Sequence, residues 1–135
     1  MGRKLMTDDE NERQKQHLRS LLHNGILCEE FLPDVEKIEI HHYREHNSFA
    51  GSSQKEGVWT VTPRSEYYFV LDCLNRECTS IGFDLKGTII SAVRSHQDEV
   101  KGEMRCEGQE APDHPEQSCD GKLKYTINVF YKRNT

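Results

Sequence analysis

The chain has 135 residues and a formal net charge of −5, with 34% hydrophobic and 30% charged residues. This length fits one hydrophobic core, and the low hydrophobic fraction predicts an economical core that a metal site would help to stabilise. The acidic charge is spread along the chain and gives no support to a nucleic-acid-binding function, although Lys122, Lys124, Lys132 and Arg133 leave a local basic patch open.

Membrane proteins and secreted proteins are also disfavoured. The chain has no run of about 18 apolar residues that could cross a bilayer, and its start turns acidic where a signal peptide needs an apolar segment. After Gly2, Met6 stands where a myristoylation signal requires Ser or Thr. We therefore expect a cytoplasmic protein without a lipid anchor.

The first 35 residues predict a helix and a connector. An acidic residue such as Asp8 can cap the helix, Leu18, Leu21 and Leu22 fall on one face, and Gly25 stands where a C-terminal cap belongs. The first half of this helix is polar all round. We expect that half to project from the domain or to fray, because it offers no apolar face for packing.

Cys28 follows this helix and is separated from the other four cysteines of the chain. It lies among Ile26, Leu27 and Phe31, which are surroundings typical of a small buried hydrophobic residue. We do not expect Cys28 to bind a metal or to act as a nucleophile.

From residue 36 onward the pattern becomes strand-like. Apolar and polar residues alternate from Ile38 to His42, and the small, polar residues of 47–57 predict a surface loop. Residues 58–73 predict two strands joined by a turn at Pro63. The second of these strands is almost continuously apolar, so we expect it to lie in the centre of a sheet.

The C-terminal half predicts one helix followed by two strands. Asp84 can cap a helix whose apolar face covers a sheet, and residues 100–106 alternate as a strand. The last strand has the cleanest alternation, with five residues on one face: Leu123, Tyr125, Ile127, Val129 and Tyr131.

The order of these elements predicts an α+β fold. We expect a small mixed or antiparallel sheet of about five strands, with an N-terminal helix and one covering helix. Residues 1–35 then form a helix and connector that belong to, or are appended to, a domain of residues 36–135.

Four cysteines are candidate metal ligands: Cys73, Cys78, Cys106 and Cys119. A strand ending at Cys73, a helix and a strand ending at Cys106 predict a crossover with parallel strands, whose C-terminal ends share one edge of the sheet. Cys119 begins the next strand. If that strand is antiparallel to the others, all four cysteines converge at this edge.

Four converging thiolates are the ligand set of a structural zinc site, here with the general character of a zinc ribbon. Four residues separate Cys73 from Cys78, as is usual, whereas the twelve residues between Cys106 and Cys119 are a long spacing. His114 could replace a cysteine or lie near the site. Reduced thiols and disulfides within these two pairs are the alternatives, and a reducing cytosol disfavours disulfides.

A second cluster of candidate ligands contains His41, His42, Glu45 and His46. A catalytic zinc ion needs about three protein ligands and an open position. On a strand, however, His41 and His42 point to opposite faces, and the helical H-E-x-x-H pattern is missing. We therefore expect no catalytic centre here.

These observations predict a non-enzymatic zinc-binding protein that interacts with another protein, through a sheet edge or through residues 47–57. The first alternative is a nucleic-acid-binding module like a zinc ribbon, which would use the lysines of the last strand. The second is a small metal-dependent hydrolase that would use His41, His42 and His46.

Overall fold

The chain folds around a four-stranded antiparallel sheet. The computed structural model describes residues 8–23, 25–48, 51–111 and 114–133. Its elements, in chain order, are α1 (Asp8–Leu22), α2 (Cys28–Phe31), β1 (Val35–Ser48), β2 (Gly51–Val61), β3 (Val70–Leu71), β4 (Phe83–Asp84), α3 (Lys86–Arg94), β5 (Glu99–Arg105), β6 (Gln109–Ala111), β7 (His114–Ser118) and β8 (Lys122–Tyr131). The main sheet has the order β2-β1-β8-β5, while β3 pairs with β4 and β6 with β7.

One face of the main sheet carries the hydrophobic core. The central strands β1 and β8 contribute Ile38, Ile40 and Ile127, which are all buried. Leu85 and Ile89, at the start of α3, pack into the same core, so the predicted covering helix is confirmed. The predicted alternation of the last strand is also confirmed, since β8 buries alternate side chains.

The opposite face of the main sheet is polar. It carries both acidic and basic side chains, and Lys124 of β8 lies 3.8 Å from Glu103 of β5. Antiparallel sheets commonly keep one such solvated face. His41 lies on this face and is exposed, whereas its neighbour Ile40 is buried in the core.

The prediction of a loop over residues 47–57 is wrong. β1 and β2 form a hairpin in which Asn47 pairs with Ser52 and Tyr43 with Glu56. The sequence pattern concealed the first half of β2 because residues 51–56 are all exposed, whereas the strand predicted from residue 58 is its second half. A strand segment that buries neither face has no apolar alternation to reveal it.

The prediction of a central strand before Cys73 is also wrong. Only Val70–Leu71 pairs as a strand, and its partner is β4 rather than the main sheet. Tyr67 and Phe69 are buried as part of an extended segment that packs against the core. The run of apolar residues therefore indicates that this segment is buried, not that it pairs as a strand.

The predicted parallel crossover is absent, since every strand pair in the described residues is antiparallel.

The N-terminal helix is confirmed, but it docks through its polar first half rather than through the apolar second half. Asn11 and Lys15 are each only 3% exposed, whereas Leu18 and Leu21 are 40% and 67% exposed. The polar half is thus the docked half and does not project. In the described part of the chain, no helix combines the length and the apolar character that crossing a membrane requires.

Candidate metal centre

Four buried cysteine thiols meet at one end of the main sheet, those of Cys73, Cys78, Cys106 and Cys119. Their sulfur atoms all lie within 4.8 Å of one another. The Sγ atoms of Cys73 and Cys119 are 3.6 Å apart, and those of Cys78 and Cys106 are 3.9 Å apart. All five cysteines of the chain are free. These four therefore form a group that could hold a metal ion.

The strands β5 and β8 deliver two of the four thiols. Cys106 directly follows β5, and Cys119 lies shortly before β8. The strands β5 and β8 are antiparallel, so these two positions are at the same end of the sheet. The Cys106 amide donates to the carbonyl of Gly121 at 2.8 Å, and the Cys119 amide donates to that of Gly108 at 2.9 Å. The short β6–β7 hairpin lies between them. This hairpin explains why a spacing of twelve residues still brings the two cysteines together.

The other two thiols come from the loop that follows β3. Cys73 begins this loop, and the Cys78 amide donates to the carbonyl of Asn75 at 3.3 Å, which folds the loop back on itself. Both thiols are buried. The cysteines converge as expected, although β3 is not a strand of the main sheet.

Backbone amides point at three of the sulfur atoms. In each case the donor lies two residues after the cysteine: Asn75 for Cys73, Gly108 for Cys106 and Gly121 for Cys119. A hydrogen bond from an amide to sulfur stabilises the thiolate relative to the thiol. The backbone is therefore arranged for thiolate ligands.

The four thiols are close enough to hydrogen-bond to one another. Hydrogen bonds from Cys119, Cys73 and Cys78 lower the pKa of Cys106, whereas the hydrogen bond to Cys106 is the main cause that raises the pKa of Cys73. Four thiolates at this distance repel one another, so full deprotonation requires a bound cation.

Gly121 leaves space for the cluster. A Cβ atom at this position would lie 2.5 Å from the Cys73 sulfur, 3.2 Å from the Cys106 Cβ and 3.4 Å from the Cys119 sulfur. The first of these distances is far below van der Waals contact. No side chain larger than hydrogen fits here unless the cluster moves.

We predict that Gly121→Ala lowers both metal affinity and thermal stability. The added methyl group forces Cys73 away from its partners, and overpacking of this kind costs about 1 to 3 kcal/mol. The control is Gly87→Ala in α3, where the new Cβ would meet nothing within 4 Å. That change should stabilise the helix by about 0.5 to 1 kcal/mol. Equal metal affinity in the two variants would contradict this packing argument.

The helix α1 supports the loop that carries Cys78. The side-chain amide of Asn11 donates to the carbonyls of Glu77 and Cys78 at 3.2 and 3.1 Å, and the Lys15 ammonium donates to that of Arg76 at 2.7 Å. Carbonyl groups that leave water need donors, and α1 provides donors for these three. The polar face of α1 is therefore buried because it completes the hydrogen bonding of the metal loop.

A second polar network surrounds Cys119. The side-chain amide of Asn75 lies 2.8 Å from the Glu110 carbonyl and 3.6 Å from the Cys119 sulfur. The Nε2 atom of His46 lies 2.9 Å from a carboxylate oxygen of Glu110. His46, Glu110 and Cys119 form a second group with potential ligand atoms within 4.8 Å, which shares Cys119 with the first.

The three candidate histidines do not come together. His41 lies on the solvated face, while His42 and His46 lie on the core face, four residues apart along β1. Four residues of strand span about 13 Å, so His42 and His46 cannot bind one ion. Burial is the main cause that lowers the pKa of His42. The side chain of the fourth candidate, His114, lies outside the part of the chain that the structure describes.

Cys28 is buried away from the cluster, and its sulfur lies 3.5 Å from the carbonyl of Glu66. Desolvation raises the pKa of the Cys28 thiol to about 11. It is not among the cysteines that the structure groups as potential ligands. These properties fit the expected small hydrophobic residue.

Neither a protein-family model, nor a curated protein, nor a solved structure matches this chain. The interpretation of the cluster therefore depends on its geometry. Sequence reasoning missed Asn11, Asn75, Glu110 and Gly121. Asn75 and Gly121 lie within two residues of a cysteine, which is a usable signal, whereas Asn11 and Glu110 carry none.

Proposed function

We propose that the four-cysteine cluster holds a structural zinc ion. Tetrahedral zinc bonds sulfur at about 2.3 Å, which places its sulfur ligands about 3.8 Å apart. The distances of 3.6 and 3.9 Å between Sγ atoms match that arrangement. This match is the observation that carries the proposal. A tetrahedral set of four thiolates is typical of zinc or of iron–sulfur chemistry, and zinc is the ion that a closed structural site most often holds.

The proposed role of the protein is non-enzymatic. A zinc ion held by four thiolates has no open position for water or substrate, and the four cysteines here are all buried. Zinc would instead fix the loop after β3 to the ends of β5 and β8. Such a site stabilises a fold and generates no nucleophile.

A protein is the partner that we propose for this module. β2 is an edge strand of the main sheet, and its residues 52–56 are all exposed. Edge strands can pair with an extended segment of another protein. The polar face of the sheet, with its mixed charges, could surround such a contact.

A nucleic-acid partner is supported less well. Lys122 and Lys124 lie on β8, where Lys122 pairs with Glu45 of β1 and with Arg105 of β5, and Lys124 pairs with Glu103 of β5. The carboxylates beside the two lysines reduce their attraction for a phosphate backbone. Binding to oligonucleotides that weakens steeply with salt and is lost in Lys122→Ala and Lys124→Ala would favour this alternative.

X-ray absorption at the zinc edge tests the proposed ligand set. We expect one zinc ion per chain with four sulfur neighbours at about 2.3 Å and no nitrogen or oxygen neighbour. His46→Ala should leave that spectrum unchanged, because His46 bonds to Glu110 and not to a cysteine. His41→Ala, on the solvated face, is the matched control. A nitrogen neighbour that disappears in His46→Ala, or a second zinc equivalent, would instead favour the hydrolase alternative.

A further inference from the structure

A cavity of about 750 Å³ lies between α1, the loop that carries Cys73, and the β1–β2 hairpin. Its volume is within the usual range for sites that bind small molecules. Five basic side chains line it: Lys15, Arg19, Arg44, Lys55 and Arg76. This concentration of positive charge is unexpected in a chain whose net charge is −5.

Two of the five basic side chains already have carboxylate partners. Glu12 lies 3.7 Å from Lys15 and 3.9 Å from Arg19, and Asp72 lies 3.3 Å from Arg19. These ion pairs neutralise one end of the cavity and attach α1 to the loop. They leave the other three cations to be explained.

Arg44, Lys55 and Arg76 form no ion pair with a carboxylate in the described part of the chain. Arg44 and Lys55 are directly opposite each other in the β1–β2 register, so their side chains lie on the same face of the sheet. The two remaining acidic residues at the cavity, Asp9 and Glu77, are exposed. Their charges are better screened by solvent than that of the buried Arg44.

Arg44 is the most unusual of these side chains because it is only 8% exposed. A guanidinium group has five N–H donors, yet among the described residues the Arg44 guanidinium makes one hydrogen bond, from Nη1 to the Asp72 carbonyl at 2.8 Å. Its buried Nε atom has no partner. A buried charge that is neither paired nor fully hydrogen-bonded is costly, so a protein rarely retains one without a reason.

We propose that this cavity binds a small molecule through an oxyanion, either a phosphate or a carboxylate group. The Arg44 guanidinium provides a planar fork that suits both groups, and Lys55 adds a flexible point charge at the mouth. The bound oxyanion supplies the counter-charge that no carboxylate of the described residues supplies to Arg44. Cys73, one of the four proposed zinc ligands, lines one wall of this cavity, whereas the other three proposed ligands do not.

The test is a titration of the metal-loaded protein with inorganic phosphate, followed by NMR of its backbone amides. We expect saturable shifts that are concentrated around Arg44, Lys55 and Arg76. Arg44→Gln should weaken binding about tenfold or more, because it removes the buried charge. Lys55→Gln should weaken binding several-fold and should fold normally, since Lys55 is exposed. Lys101→Gln is the matched control, because Lys101 is an exposed lysine of β5 that pairs with Glu99.

Parallel titrations with acetate and chloride at equal ionic strength identify the ligand chemistry. If acetate binds more tightly than chloride, the site accepts a carboxylate ligand. If phosphate alone binds, the site is specific for a phosphate ligand. Equal effects of all three anions, or equal phosphate binding by Lys55→Gln and Lys101→Gln, would overturn the proposal. Loss of metal from Arg44→Gln with no change in phosphate binding would also overturn it, because Arg44 would then serve only the charge of the thiolate cluster.

Discussion

Removal of the proposed zinc ion is expected to lower the melting temperature of this protein more than any substitution outside the cluster. The four thiols are buried and join the loop after β3 to the ends of β5 and β8. Without a cation, that junction keeps only contacts between thiols and a few hydrogen bonds, such as those that Asn75 donates to the Glu110 carbonyl and the Thr79 amide donates to the Gln109 carbonyl. The binding energy of structural zinc is folding energy, about 10 to 16 kcal/mol in small zinc peptides, and a domain with its own core should show a smaller share of it.

The measurement compares thermal unfolding of the loaded protein, of the protein after chelation, and of the chelated protein after zinc is restored. Cys73→Ser and Cys119→Ser should bind no metal and should melt like the chelated protein. Cys28→Ala is the control with a matched residue type. Cys28→Ala should keep one zinc per chain, and its free energy of unfolding should fall by only about 1 to 2 kcal/mol through lost packing. Melting that is unaffected by chelation, or loss of metal in Cys28→Ala, would refute the assignment.

The convergence of the four cysteines was predictable from the sequence, although one half of the reasoning was wrong. The alternating pattern of β8 and of residues 100–106 correctly placed Cys106 and Cys119 at one edge of an antiparallel pair. Cys73 reaches that edge from a two-residue strand outside the main sheet. An extended apolar segment and a central strand have the same composition, because both are buried. Sequence pattern therefore predicted the burial of this segment and not its partners.

The position of α1 could not be predicted from periodicity. Helical patterns are interpreted on the assumption that apolar faces are buried and polar faces are solvated. Here the partners of Asn11 and Lys15 are backbone carbonyls that lie 61 to 67 residues away in the chain. Every residue has a backbone carbonyl, so the sequence does not show which carbonyl groups need a side-chain donor. The sequence thus showed a helix and an apolar stripe, but not the polar surface on which the helix docks.

This inverted docking predicts an inverted pattern of mutational effects along α1. Asn11→Ala and Lys15→Met should each destabilise the fold by about 1 to 3 kcal/mol, because each removes a buried side-chain donor from carbonyl groups that are at least partly buried. Leu21→Ala should change stability by no more than about 0.5 kcal/mol, since Leu21 is 67% exposed. Chemical denaturation of the three variants measures these differences directly.

The same variants should also differ in how fast they release zinc. Asn11 bonds to the carbonyl of Cys78 itself, so its loss frees the loop that presents this ligand. We expect Asn11→Ala to transfer zinc to a chelator faster than the wild type, with Leu21→Ala unchanged. The contrary result, a larger stability loss in Leu21→Ala than in Asn11→Ala, would mean that α1 packs through its leucines. The support of the metal loop by α1 would then be rejected, while the four-cysteine site would stand on its own geometry.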